Sequence, residues 1–426
     1  MRNGMRAGLA VLAMAVVASG CASGTTRSSA PAPTTVRGVA AVEPAANPRP
    51  LGAADTAFGL DMLRAWCAQY PRQNLVFSPS TLASALGMAY LGARGATARV
   101  MADVLDLPTS GQALAAELQA RTKALGELQS PGVTLAASDN VWADPTLPLQ
   151  RGYLNAVATG YGAGVTPAPF SSDPQAAANE INRSISQATH GHITQLVTPA
   201  MLSRIGWVLT SALYMKAAWA NPFDPSQTKP GPFTPAGGRP LTAKYMNGGA
   251  YTFATSAGWQ AVSLPYKGGK LTMTALLAPS GAGSCALPSQ AALRTIASAL
   301  SGPAGAADSV QVSLPKVNLD TSGATGDMNS VLKPLGMGQA FTNDANFLGL
   351  SAQACCIGFV QQAATLQVGE KGTVGAAAAA VGITAAAAIA VPPRTVVFDR
   401  PYLMLVTDTA TGEPLFMAKV ADPTAS

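Results

Sequence analysis

The chain has 426 residues, of which 48% are hydrophobic, 11% are charged and 6% are aromatic, with a net charge of +6. The hydrophobic fraction is sufficient for a large core, and the length fits two or three ordinary domains or one domain of unusual size. The modest, unclustered positive charge and the sparse aromatic side chains argue against a nucleic-acid-binding protein.

The amino terminus has the pattern of a secretory signal. Two arginines within the first six residues precede an apolar run from Leu9 to Ala18, and two small residues separate that run from Cys21. This arrangement resembles the lipobox of bacterial lipoproteins, in which the cysteine is lipidated and the peptide is cut before it. Ordinary cleavage with Cys21 incidental is the alternative. We predict a lipoprotein signal peptide over residues 1–20 and an exported protein, either lipid-anchored through Cys21 at the bacterial cell envelope or secreted.

Residues 21–52 follow as a segment rich in Ser, Thr, Pro and Ala, without apolar periodicity. This composition is typical of a flexible linker between a membrane surface and a folded domain. The predicted organisation is therefore a lipidated Cys21, a linker that ends at residue 52, and one folded domain over residues 53–426.

The sequence contains no pattern that indicates catalysis or metal binding. The 2 histidines, His190 and His192, have no third metal ligand nearby, and we expect them to be exposed and structural. There is no G-x-S-x-G nucleophile elbow and no glycine-rich phosphate loop. The four cysteines after Cys21 lack metal-site spacing; their pairing is open, and unpaired, mostly buried thiols are favoured. We therefore predict no enzyme activity, no metal and no cofactor.

The most unusual stretch runs from Glu370 to Arg394 and has no charged residue between Lys371 and Arg394. A buried helix, a membrane span and a loop that later becomes a buried strand are its three interpretations. Glycines interrupt the helical pattern, and strand-like segments follow at Tyr402 to Val406 and Pro414 to Val420, which favours the third interpretation. In a strand, one face would carry only small or apolar side chains, namely Thr373, Gly375, Ala377, Ala379, Val381 and Ile383.

Glu370-Lys371-Gly372-Thr373, followed by small residues, resembles the hinge of the reactive-centre loop in the serpin family. FDRPYLMLVTD and PLFMAKVADP, over residues 398–408 and 414–423, are similar to that family's carboxy-terminal signature, and NLVFSPSTLASALGMAYLGARGAT over 74–97 resembles its first buried helix region. LYMKAAWANPFD, LPYKGG, LPKVNL and LKPLGMGQAF lie between them in the family's order. The resemblance covers the chain from about residue 53 and implies an α+β serpin fold, with several helices around three β-sheets and an exposed reactive-centre loop.

The resemblance implies a protease inhibitor. A target serine protease, or a cysteine protease, attacks the loop and forms an acyl-enzyme. The cleaved segment from Thr373 to about Ala386 then inserts into the main sheet and carries the protease with it, so that deacylation stalls. We expect a monomer that binds no nucleic acid. A non-inhibitory serpin-fold binding protein at the cell surface and a cell-envelope lipoprotein enzyme are the alternatives.

The resemblance also implies two groups of site residues. The hinge, whose small side chains permit insertion, comprises Glu370, Gly372, Thr373, Val374, Gly375, Ala376, Ala377 and Ala378. The sheet-opening region comprises Ser78, Thr81, Ser211, Trp219 and Gln362. Three residues depart from the family's pattern: Val374 replaces the usual glutamate, Gln362 the usual histidine and Ser211 the usual asparagine. The hydrogen bonding in the sheet-opening region must therefore differ from that of typical members.

The family's spacing leaves the scissile bond open between two positions. Counting forward from Glu370 gives Ala386–Ala387, whereas counting back from Phe398 gives Ala390–Val391. The candidate residues are Ala386, Ala387, Ile389 and Ala390. Small apolar residues before the cut suit proteases with shallow primary pockets, such as elastase-like or subtilisin-like serine proteases. The alternative is that this sequence reflects the needs of insertion and not the choice of target.

Overall fold

The computed structural model describes residues 34–203, 206–235, 237–301, 309–320, 327–373 and 394–425. The helices in these parts of the chain are α1 (Arg49–Gln69), α2 (Pro79–Gly92), α3 (Gly95–Val104), α4 (Gly111–Gly126), α5 (Arg151–Tyr161), α6 (Pro174–Ala188), α7 (Pro199–Leu202), α8 (Gln290–Ser301) and α9 (Asn329–Leu332). None of these described helices is long and apolar enough to cross a membrane.

The strands are β1 (Leu75–Phe77), β2 (Val133–Ala143), β3 (Val165–Pro167), β4 (Trp207–Ala218), β5 (Lys229–Phe233), β6 (Leu241–Ser256), β7 (Trp259–Pro265), β8 (Leu271–Leu277), β9 (Ser309–Pro315), β10 (Val317–Asp320), β11 (Val360–Gly369), β12 (Gly372–Thr373), β13 (Thr395–Val397), β14 (Tyr402–Asp408) and β15 (Pro414–Val420). The two predicted carboxy-terminal strands are confirmed as β14 and β15.

Among the described residues, the larger of two hydrogen-bonded sheets has nine strands, in the order β1-β15-β14-β8-β7-β6-β9-β13, with β5 also paired to β6. Its pairing register shifts between Gly248 and Tyr251 of β6, where Ala250 has a φ of 67°. Before this bulge β6 pairs with β5, and after it β6 pairs with β7. In the part of the chain that the structure describes, the expected three sheets therefore appear as two hydrogen-bonded sheets, because one 16-residue strand is shared by both halves of the larger one.

The smaller sheet has six strands, in the order β10-β11-β12-β4-β2-β3. Its two faces are covered by different helices: α2 packs on the inner face with Leu209 of β4, and α6 covers the outer face with Ala212. Both helices begin at a side-chain cap followed by proline, with Ser78 before α2 and Asp173 before α6. The caps satisfy an N–H group at each helix start, where proline loses no helical hydrogen bond.

The segment before α1 is part of the folded body, which corrects the predicted linker boundary at residue 52. Val36 exchanges two backbone hydrogen bonds with Val165 of β3. The backbone N–H of Val39 donates to Asn155 on α5 over 2.8 Å, and that of Glu43 donates to Gln119 on α4 over 3.1 Å. We call residues 34–48 the amino-terminal strap. The signal peptide, Cys21 and the start of the linker lie outside the described residues.

Two of the cysteines form a disulfide, contrary to the expectation of unpaired thiols. Cys67 on α1 is bonded to Cys285, which precedes α8, with a Cα–Cα distance of 5.7 Å and a sequence separation of 218. The pairing depends on how α1 meets the α8 end of the molecule, so cysteine spacing could not indicate it. Cys355 and Cys356 are free.

Candidate functional site

The hinge enters the smaller sheet through its first two strand residues. Gly372 and Thr373 form β12, which lies between β11 and β4 and pairs antiparallel with both. Thr373 is opposite Val368 on one side and Ala217 on the other. At the other end of β11, residues 360–364 pair directly with residues 209–213 of β4 in parallel. The sheet is therefore parted at one end and closed at the other.

We call the space between β11 and β4, which β12 enters at one end, the slot. The two strands have the same register relative to each other at both ends of the slot. Val368 and Ala217 flank Thr373, and 368 − 217 = 151; Val360 pairs with Leu209, and 360 − 209 = 151. A strand that continued β12 would therefore meet both neighbours in register, and neither neighbour would need to slide. Since residues in an antiparallel pair advance in opposite directions, residue 377 would lie between Ala364 and Leu213.

The alternation of side chains assigns a face to each inserted position. Thr373 is 0% exposed and lies on the inner face, where the flanking Val368 and Ala217 belong to the apolar core between the two sheets. Gly375 and Ala377 would follow it on that face.

Residues of even number in an inserted strand would face outward, and their surroundings would change along the slot. Val374 would lie between exposed Gln367 and half-buried Lys216. Ala378, further along, would lie between Ala363 and Ala212, which are both fully buried beneath α6.

The turn before β12 is held by an ion pair and by backbone hydrogen bonds. Glu370 accepts from Lys316 Nζ at 2.8 Å and from Thr228 Oγ1 at 2.9 Å. Burial alone would raise the pKa of Glu370, but the hydrogen bonds from Lys316 and Thr228 outweigh it and lower that pKa. The carbonyls of Glu370 and Lys371 accept from the N–H groups of Phe223 and Trp219. These contacts fix the point at which the loop leaves β11.

Gly372 occupies a position that a larger residue would not fit. Its φ is 145°, in the region that L side chains rarely adopt. A Cβ atom there would lie 2.1 Å from the carbonyl oxygen of Ala217. The glycine therefore permits the close backbone approach by which β12 joins β4.

Thr373 is held from the core side by a pair of stacked aromatic rings. Its hydroxyl lies 2.6 Å from the Tyr266 hydroxyl, and the Tyr266 ring stacks on Trp219 with centroids 4.4 Å apart. Trp219 Nε1 donates to the carbonyl of Gly369 at 2.9 Å. The aromatic residue predicted at the sheet-opening region is thus at the hinge. Its partner Tyr266 was not predicted as a site residue, although it lies within the LPYKGG motif.

The other four predicted sheet-opening residues form one buried hydrogen-bonded cluster. Gln362 Oε1 accepts from the Ser78 N–H at 3.1 Å. Gln362 Nε2 lies within hydrogen-bonding distance of the Ser78 carbonyl, Thr81 Oγ1 and Ser211 Oγ, at 2.9, 3.1 and 3.3 Å. The cluster joins β11 and β4 to the start of α2 in the closed part of the slot. The glutamine thus bonds the strands on both sides of that closed part to the helix beneath them.

A carboxyl group that the sequence did not reveal lies beside this cluster. Asp139 of β2 faces Ser211 across the β2–β4 pair, and its buried Oδ1 has no hydrogen-bond partner among the described residues. Burial raises the pKa of Asp139 to about 7, against the opposing effects of Ser211 and the charge of Arg121. Arg121 itself donates to Asp55 at 2.7 Å and to Ser84 at 2.8 Å in a buried network.

The two histidines lie on the outer face of the smaller sheet. Both are exposed. The His192 ring stacks on Tyr214 of β4 with centroids 4.6 Å apart, and the His190 ring meets Tyr214 edge-on at 5.3 Å. They belong to the turn after α6, where the backbone of His190 has a φ of 53°. Within the described residues, no group of three potential metal-ligating side chains is found.

The remaining predicted site residues lie outside the described part of the chain. These are Val374, Gly375, Ala376, Ala377 and Ala378 of the hinge and the scissile-bond candidates Ala386, Ala387, Ile389 and Ala390. Their roles stay predictions.

The comparison with known families identifies this architecture. The family model described as "Serpin (serine protease inhibitor)" matches residues 53–423. The chain belongs to the serpin family. Iripin-2 of Ixodes ricinus is 29% identical over 374 residues, which cover 86% of this chain and 92% of that protein. The leukocyte elastase inhibitor of Bos taurus is 27% identical over 382 residues, covering 88% of this chain and 99% of that protein.

A solved structure agrees on the fold. The thermophilic serpin tengpin in its native state matches with a TM-score of 0.75 at 21% identity, over 92% of this chain and 100% of that one. Serpins are typically protease inhibitors rather than enzymes. The predicted serpin fold and family are thereby confirmed.

Proposed function

We propose that this serpin inhibits a serine protease by covalent trapping. The protease attacks the reactive-centre loop within residues 385–391 and becomes acylated through its own serine. The freed segment, from Val374 onward, then continues β12 into the sheet and draws the protease across the molecule. Hydrolysis of the acyl-enzyme stalls when the displaced protease loses its active-site geometry.

The shared register of the slot is the observation that carries this proposal. The hinge already contributes Gly372 and Thr373 to the sheet. Further insertion then has a defined partner on each side for every residue down to Val381, which would face Val360. The inner-face positions need small or apolar side chains, and the loop sequence supplies them. A loop that served only as an exposed binding surface would have no need of this match.

The closed part of the slot sets the barrier that insertion has to overcome. Extending β12 requires β11 and β4 to separate where residues 360–364 pair with residues 209–213. The contacts of Gln362 with Ser211 and with the start of α2 then have to break or rearrange. Buried amide hydrogen bonds of this kind contribute about 1 kcal/mol each, and more when a partner is left unsatisfied. We infer that Gln362 performs the restraint for which most members use histidine.

The loop sequence favours elastase-like or subtilisin-like target proteases. The candidate residues before the cut are alanine or isoleucine, which fit shallow primary pockets, whereas trypsin-like enzymes need a basic residue. The similarity to a leukocyte elastase inhibitor supports this choice. The lipobox-like amino terminus supports a lipid anchor at Cys21 that tethers the inhibitor to the bacterial cell envelope. There it would act as a monomer and would meet proteases from outside the cell.

A protease panel tests the inhibitory function directly. We would incubate the protein with elastase, subtilisin, trypsin and papain and separate the products in denaturant. A covalent complex with elastase or subtilisin that resists denaturation is the expected result, and the trypsin sample is the specificity control. Rapid cleavage of the loop by every protease without any stable complex would refute trapping and would favour the non-inhibitory binding protein.

A further inference from the structure

A buried lysine lies against the disulfide. Lys419 of β15 is 1% exposed, and its Nζ lies 3.0 Å from Cys67 Sγ and donates to the carbonyl of Pro71 at 2.8 Å. Within the described residues, no carboxylate oxygen comes within 4.0 Å of that nitrogen. Burial lowers the pKa of Lys419 to about 8, so the amine still carries a proton at pH 7. A buried cation is usually paired, which makes this one unusual.

The two cysteine residues of the disulfide differ in their exposure to solvent. Cys67 is 0% exposed within α1, whereas Cys285 is partly exposed. The neighbours of Cys285, Ser284 and Ala286, line a cavity of about 370 Å³ that also reaches Lys419. Because Cys67 is fully buried and Cys285 is not, we expect a small nucleophile to reach Cys285 more readily than Cys67.

We propose that the Cys67–Cys285 disulfide is a thiol-exchange site, in which a small thiol attacks Cys285 and Cys67 leaves as a thiolate held by Lys419. The incoming thiolate forms a bond to Cys285 Sγ while the Cys67–Cys285 bond breaks, and the electron pair goes to Cys67 Sγ. The product is a mixed disulfide on Cys285. A second thiolate then resolves it, so that two thiols are oxidised to a disulfide and the protein disulfide is reduced.

The ammonium group explains why Cys67 is the better leaving group. In the disulfide, the sulfur beside Lys419 is neutral, and no described residue supplies a counter-ion for the buried charge. Cleavage places a negative charge 3.0 Å from that ammonium and forms an ion pair. Thiol–disulfide exchange is faster when the leaving thiolate is stabilised, and an adjacent lysine is one of the groups that stabilise thiolates. The same contact would preserve Cys67 as a thiolate, ready to close the disulfide again.

Peptide mapping tests the direction of attack without any change at Lys419. The full chain would carry Cys21→Ser, Cys355→Ser and Cys356→Ser, so that only the disulfide reacts. After brief treatment with glutathione at pH 7 and alkylation of free thiols, we expect glutathione on Cys285 and the alkyl group on Cys67. In 6 M guanidinium the preference should disappear. Glutathione on Cys67, or equal labelling of both cysteines in the folded protein, would overturn the proposal.

The rate of exchange tests the role of the lysine. Lys419→Met should slow the reaction with glutathione by about tenfold, whereas Lys419→Arg keeps a cation and should react at nearly the wild-type rate. Folding of each variant is checked by circular dichroism before treatment. An unchanged rate in a folded Lys419→Met variant would show that Lys419 does not assist. Should that variant fail to fold, the peptide map of the protein with its native lysine decides alone.

Discussion

Replacing Ala377 with arginine should convert the inhibitor into a substrate and leave the uncleaved protein folded. In the register that β12 defines, residue 377 would lie between Ala364 and Leu213, whose exposures are 0% and 1%. Arginine there would place a guanidinium in the apolar core between the sheets. Asp139 also lies near this face, but it belongs to β2. Because β4 lies between β2 and the inserted strand, Asp139 is not on a strand next to residue 377. In the uncleaved reactive-centre loop the same charge should cost little.

The free energies involved are of comparable size. Insertion from Val374 to Val381 would add about two backbone hydrogen bonds per residue and remove the direct β11–β4 pairs. A net gain of about ten bonds at about 1 kcal/mol each gives a driving free energy on the order of 10 kcal/mol. Burying an unpaired guanidinium costs several kcal/mol. If ~3 kcal/mol of that cost is felt in the insertion transition state, insertion slows by about a hundredfold, and deacylation overtakes it.

The assay is the stoichiometry of inhibition, meaning the number of serpin molecules consumed for each protease molecule trapped. The Ala377→Arg variant should show a large rise in this ratio, with cleaved serpin and active protease as products. Thermal unfolding of the uncleaved variant should stay close to that of the wild type. A variant that still forms covalent complexes at the wild-type ratio would refute the insertion register and the mechanism built on it.

The matched control introduces glutamate on each of the two faces of the inserted strand. Ala377→Glu buries a carboxylate on the inner face and should behave like Ala377→Arg. Val374→Glu would place the same side chain on the outer face beside Lys216, where an opposite-charge pair contributes about 0.5 kcal/mol, so inhibition should be retained or improved. Ala378→Arg is not a suitable control, because Ala363 and Ala212 would flank it beneath α6.

Three further predictions concern the hinge, the polar cluster and the membrane. Gly372→Ala should expel β12 from the sheet, because the methyl group meets a backbone oxygen of β4. Stopped-flow assays should then show slower complex formation. Gln362→Ala should lower the free energy of unfolding in urea by about 2–4 kcal/mol, since partners such as the Ser78 N–H lose their hydrogen bonds; Gln361→Ala, on the opposite face, should cost less. Cys21→Ser should abolish partition into membranes, and equal partition of both proteins would exclude lipidation.

The sequence sufficed for the family and for much of the site. Ordered motifs identified the serpin fold, and the carboxy-terminal strands were predicted because Thr409 to Gly412 is an obvious turn between apolar segments. Ser78, Thr81, Ser211 and Gln362 were grouped by resemblance, and the structure brings them into one hydrogen-bonded cluster. Their role in sheet opening stays a prediction.

What the sequence did not reveal depends on contacts between distant segments. Tyr266 becomes part of the hinge only because β7 ends beside Trp219. The strap looked like a linker because several of its contacts are made by backbone groups, such as the Val39 N–H, which leave no side-chain pattern. The Arg121–Asp55 pair joins α4 to α1 from positions 66 residues apart. No local periodicity records such pairings.

The melting temperature of the protein before and after cleavage of the loop tests insertion most directly. A single cut between Ala385 and Val391, made by a protease that the serpin does not trap, frees the segment to continue β12. We predict that the nicked protein melts far above the intact one, because a central strand is added in register with β11 and β4. A nicked protein that melts at the temperature of the intact one would contradict the account.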